Sequence, residues 1–147
     1  MADSGATDRY SGSELQELLT QMSMVKFLGL RFLKIEPRAV DIEMPYRHEV
    51  SLVPGEFHAG PLGTLVEIAS GVATATLLPR GWANAAVDVS LKLFAPATGS
   101  TLIARASALS AGRTLSVGEA KVWVVRDAVE TLCASGMVTL RNFPAGT

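Results

Sequence analysis

The chain has 147 residues, enough for one domain with a hydrophobic core. It is 48% hydrophobic and 18% charged, with a formal net charge of -1 and no basic block, so neither nucleic acid nor an anionic membrane is an expected partner. Cys133 is the only cysteine, which excludes a disulfide within the chain and fits a reducing, cytoplasmic setting. The large apolar fraction also points to surface buried between subunits.

The first twelve residues, MADSGATDRYSG, are polar, lack the apolar stretch of a signal peptide and are expected to form a disordered tail (residues 1–12). One domain is expected to follow over residues 13–142. Ser11 with Glu14, or Ser13 with Gln16, fits a capping box. Leu15, Leu18, Leu19, Met22 and Val25 then recur at helical spacing, so a single packing helix is expected, ending before Gly29. Next, Arg31-Phe32-Leu33-Lys34-Ile35 is rich in β formers. Beyond Pro37, Val40, Ile42 and Met44 alternate with Asp41 and Glu43. A hairpin pairing 29–36 with 39–45 follows from this. Residues 46–57 read as a loop punctuated by Pro54-Gly55.

A long helix is expected over 59–78, with Pro61 in its first turn and Pro79 and Gly81 stopping it. The stretch from Pro61 to Leu78 is too short and too diluted by Glu67, Gly and Thr to cross a membrane, so it reads as a core helix wrapped by other elements. Four strands complete the chain. Val87, Val89, Leu91 and Leu93 alternate with Asp88, Ser90 and Lys92, and further strands are expected at 101–110, 114–126 and 131–140. The short links between them imply an antiparallel sheet. The order of elements gives an α+β class, with a long helix against a curved antiparallel sheet.

Glu67 is the only charged residue between His58 and Arg80. A carboxylate on an otherwise apolar helix is costly to bury without a partner, so it marks either a catalytic acid or a structural one tied to the backbone or to an Arg across an interface. Nine residues before it, His58-Ala59-Gly60-Pro61 reads as a tight turn at the helix N-terminus, where backbone N–H groups can meet a developing negative charge. His48 reads as a solvated loop residue and Cys133 as a small apolar strand residue. No zinc spacing, nucleophile elbow or phosphate-binding glycine loop is present, so neither a metal nor a cofactor is expected.

The His58-Ala59-Gly60 turn nine residues before Glu67 resembles that of the hotdog-fold acyl-CoA thioesterases of the PaaI type. The Glu form is similar to the 4-hydroxybenzoyl-CoA thioesterases of the Arthrobacter type. The likeness covers roughly residues 13 to 141, including Leu28-Gly29-Leu30, Phe94-Ala95-Pro96-Ala97 and the Gly112-Arg113 hairpin. It implies a hotdog fold, with the antiparallel sheet curved around the central helix, and hydrolysis of an acyl-CoA to free acid and coenzyme A, the coenzyme entering only as part of the substrate. It further implies that the Ala59 N–H polarises the thioester carbonyl, that His58 shapes the turn, and that Glu67 acts as base or nucleophile. The two halves of a site would come from different subunits of a homodimer or homotetramer. Gly60 would complete the turn, and Arg113, Lys92 and Arg80 are candidates for a coenzyme A phosphate.

Departures from that pattern are visible. Ala59 replaces a Gly, adding a methyl and disfavouring positive φ. Leu52 stands where an Asn or Gln is usual, and positions that carry Ser or Thr near the reacting water fall on Gly71 and Ala86. Ser70, Asp88 and Ser90 lie close enough in sequence to substitute. The alternatives are a non-catalytic acyl-CoA or lipid-binding hotdog protein, and a hotdog dehydratase or hydratase. The last requires a His at a longer spacing, and counting back fourteen residues from Glu67 gives Val53.

Overall fold

The computed structural model describes residues 7–146. The first six residues of the expected tail lie outside that range; Asp8 and Tyr10 lie against Arg80. The elements run α1 (Gly12–Leu19), α2 (Ser23–Leu28), β1 (Arg31–Glu36), β2 (Ala39–Pro45), a 3-10 turn (His48–Val50), β3 (Ser51–Val53), β4 (Glu56–Phe57), α3 (Ala59–Ala75), β5 (Trp82–Leu93), β6 (Thr101–Ala111), β7 (Leu115–Arg126) and β8 (Val129–Pro144).

The capping box at the first helix is formed by Ser11 and Glu14: Ser11 Oγ accepts the Glu14 N–H at 3.2 Å, and the Ser11 N–H donates to the Glu14 carboxylate at 2.7 Å. The expected single helix is broken after Leu19. The reason is angular. Leu15 and Leu28 are both buried, yet thirteen residues at about 100° each would place them about 140° apart around one straight helix. The break between α1 and α2 lets both point inward and leaves Leu18 and Met22, members of the expected apolar stripe, exposed at 55% and 49%.

Six strands form one antiparallel sheet in the order β1-β2-β6-β7-β8-β5. The hairpins follow the alternation in the sequence, and Val40, Ile42, Met44, Leu102, Val122 and Val138 are fully buried. The expected loop at 46–57 instead contains the β3–β4 hairpin, turned at Gly55 with φ 86°. β5 begins at Trp82, five residues before the alternation that marked it in the sequence.

Helix α3 lies across this sheet with Leu62, Leu65, Val66, Ala69 and Ala73 in the core. Two glycines permit the close approach. A Cβ on Gly118 would stand 2.9 Å from the Ser70 Cβ, and one on Gly136 would stand 2.7 Å from the Val66 Cγ1. The helix ends at Ala75, before the expected residue 78. There the Thr76 hydroxyl donates to the Ala73 carbonyl at 2.6 Å and accepts the Arg38 N–H at 2.9 Å, tying the end of α3 to the β1–β2 turn.

Candidate active site

The first residue of α3 presents a free backbone donor. His58 is the N-cap, and its Nδ1 accepts the Gly60 N–H at 2.9 Å. Pro61 has no N–H to offer. The Ala59 N–H makes no hydrogen bond within the described residues, so it is the donor left at the positive end of the helix. Ala59 does not adopt positive φ, so its methyl costs no backbone strain here. Ala59 also forms part of the wall of an open cavity of about 370 Å³ at the head of α3, with Leu52, Phe57, Leu62, Leu93, Phe94 and Glu56 among its other walls. That volume lies within the ~300–1,000 Å³ range of small-molecule sites. His58 is itself exposed and acts on the cavity only through the cap.

Glu67 stands two turns further along α3, half-buried. Its carboxylate takes part in no hydrogen bond or ion pair among the described residues, and burial pushes that carboxyl above the ordinary range. Strand β5 runs antiparallel to α3 past this point. Leu91 lies beside Gly63, where an added Cβ would be 3.6 Å from its Cδ2, and Asn84 donates to the Gly71 carbonyl at 2.9 Å. The segment Ala86–Asp88 therefore passes at the level of Glu67, and there the register of β5 against β8 shifts by one residue, a bulge at Val87. Bulges concentrate where a strand is bent beside a site.

Within one chain Ala59 and Glu67 do not converge. Eight residues of helix separate them by about 12 Å along the axis. Glu67 does not line the cavity at Ala59.

The other residues singled out in the sequence are spread around these two centres. Leu52 is exposed and on the cavity wall, and Gly60 is occupied by its bond to His58. Ser70 is fully buried over Gly118 and its hydroxyl has no partner among the described residues. Gly71 is buried one turn beyond Glu67, and Ala86 packs half-buried against the core. Asp88 is exposed; beyond the bulge it shares the outward face of β5 with Ser90 and Lys92, opposite Leu91. Arg113 is exposed and lines a second cavity of about 280 Å³ at the far end of α3, with Leu78 and Trp82. Arg80 is already engaged by Asp8 at 2.9 Å and Glu14 at 3.1 Å, and stacks over Tyr10. Two residues that the sequence reading passed over belong to the site region: Glu56, on the cavity wall, and Asn84. The lone amide of Asn84 in an Ala-rich strand start was the available signal.

Among the described residues no cluster of three His, Cys, Asp or Glu could hold a metal ion, and no helix is long and apolar enough to cross a membrane.

A long helix enclosed by an antiparallel sheet, with a free N-terminal donor and a solitary acid on that helix, defines a hotdog-fold protein. No protein-family model matches the sequence. A protein of Halobacterium salinarum, provisionally named an esterase, is 30% identical over 137 residues, spanning 88% of this chain and 90% of that protein. A thioesterase-family protein of Silicibacter pomeroyi superposes with a TM-score of 0.86 at 27% identity, covering 89% of this chain and 96% of that one. A thioesterase of Haemophilus influenzae shares the fold, with a TM-score of 0.81 at 20% identity over 96% of each chain. The chain belongs to the hotdog-fold thioesterase superfamily.

Proposed function

We propose that the protein hydrolyses acyl-CoA thioesters as a dimer, with Glu67 of one copy facing the Ala59 N–H of the other. The observation that carries this reading is Glu67 itself: half-buried, without a partner, and level with the bulge of an edge strand. Among the described residues β5 pairs only with β8, and Val87 and Val89 beside its other edge are 61% and 43% exposed. A second copy pairing along that edge would cover them and join the two sheets. Such pairing accounts for two half-sites about 12 Å apart on one helix.

In that site the thioester oxygen sits on the Ala59 N–H, which holds the negative charge that develops there. By one route Glu67 takes a proton from water as the water oxygen attacks the carbonyl carbon; the C–S bond then breaks and the proton passes to the departing thiolate. By the other, the Glu67 carboxylate attacks the carbonyl, expels the thiolate, and the resulting anhydride is split by water. The upward shift from burial makes Glu67 a stronger base than an exposed carboxylate. A second reading is a protein that only holds acyl-CoA or lipid. It is favoured by Leu52, which offers the cavity no hydrogen bond. Release of free coenzyme A from short, long and aromatic acyl-CoAs, by wild type and Glu67→Gln, separates the two. Turnover that falls by about 10²-fold or more in the variant supports hydrolysis. Saturable binding without turnover supports the second reading.

A further inference from the structure

The wall of the cavity at the head of α3 includes one ionisable residue that the mechanism leaves unused. Among the described residues its walls are apolar apart from Glu56, the one ionisable residue in them. Backbone contacts on both sides fix where Glu56 stands. It pairs with Val53 across the β3–β4 hairpin and bridges to Thr98 on the other side. The Phe57 N–H donates to the Ala97 carbonyl at 2.9 Å and the Gly99 N–H to the Gly55 carbonyl at 3.1 Å. The residue is half-buried, and among the described residues no Lys, Arg or His pairs with its carboxylate. The other walls offer no side-chain polar partners for the two amides of a pantetheine arm, which would be costly to bury there unpaired. The cavity therefore suits the acyl arm of a thioester whose carbonyl rests on Ala59.

An unpaired carboxylate on an apolar wall tolerates a neutral chain but opposes a second anion. Two like charges about 6 Å apart at an effective dielectric of about 20 correspond to roughly a hundredfold in equilibrium, and the open mouth of the cavity lowers this toward tenfold. We propose that Glu56 is a charge filter, so that the site accepts uncharged apolar acyl groups and rejects acyl groups ending in a carboxylate. The proposal rests on the thioester reading of the Ala59 end of α3.

The test uses hexanoyl-CoA and adipoyl-CoA, which match in chain length and differ in the terminal carboxylate. The ratio of kcat/KM for the two is measured in wild type and in Glu56→Gln, and the ratio of Kd for the same pair is measured calorimetrically in each, with Glu67→Gln added to prevent turnover. Wild type is expected to favour hexanoyl-CoA by about tenfold or more, and Glu56→Gln to shrink that preference by about tenfold. Comparing variants cancels the intrinsic difference in hydrophobicity between the two chains. An unchanged ratio in Glu56→Gln overturns the filter, as does failure of either background to bind hexanoyl-CoA. If wild type turns over neither thioester, the hydrolysis reading falls, while the Kd ratios still decide the filter.

Discussion

Replacing Ala59 by Pro would delete the one donor assigned to the thioester oxygen and leave the helix in place. Ala59 is the first residue of α3, where Pro is favoured because its missing N–H had no helical partner. His58 already has φ -69° and ψ 151°, the extended conformation that a following Pro requires. Neither of the next two residues can supply the lost donor, since Gly60 N–H is held by His58 Nδ1 at 2.9 Å and residue 61 is itself a Pro. Loss of one such donor typically lowers kcat by about 10²–10³-fold. The melting temperature should hold or rise, because a Pro in a compatible site stabilises by about 0.4–1 kcal/mol. The assay is release of coenzyme A at saturating acyl-CoA, beside a thermal melt followed by circular dichroism. Ala59→Gly keeps the N–H and should stay near wild-type kcat. A folded Ala59→Pro protein with wild-type kcat would refute the assignment.

Other consequences follow from the same geometry. His58→Ala removes the N-cap of α3 and should cost about 1 kcal/mol in chemical denaturation, with His58→Asn restoring most of it because Asn caps equally well. Burial raises the folded-state pKa of Glu67, so as pH rises the unfolded chain loses this proton first, and the stability present below the unfolded pKa is lost on passing through the folded one. Glu67→Gln should therefore melt higher than wild type at pH 7, with the gap closing by about pH 4. Val87→Lys combined with Val89→Lys should turn a dimer into a monomer in sedimentation velocity and abolish turnover, since Lys blocks edge-to-edge pairing; a dimer that persists with full activity would place the interface elsewhere.

The sequence exposed those parts of the fold that repeat locally. The capping box, the β1–β2 hairpin and the four later strands each have a period or a cap within a few residues, and Glu67 stood out because nothing charged surrounds it. What it hid depends on packing between distant segments. The break between α1 and α2 follows from which leucines reach the core, and the stripe from Leu15 to Val25 reads equally well as one helix. Arg80 looked like a free cation because Asp8 and Glu14, 72 and 66 residues away, hold it only in the fold. The bulge at Val87 and the placing of Glu56 come from strand pairing, to which no side-chain pattern in the sequence points. The Ala59 departure, a cause for strain in the sequence, is harmless because the helix has already begun at that residue.

The most direct test of the composite site mixes two inactive proteins. Ala59→Pro and Glu67→Gln are each purified, combined in equal amounts, dissociated and reassociated, and assayed for release of coenzyme A. If each site takes its donor from one copy and its acid from the other, every mixed dimer regains one intact site, and the mixture recovers about a quarter of wild-type activity. Mixed dimers that form and remain as inactive as the parents would contradict the account.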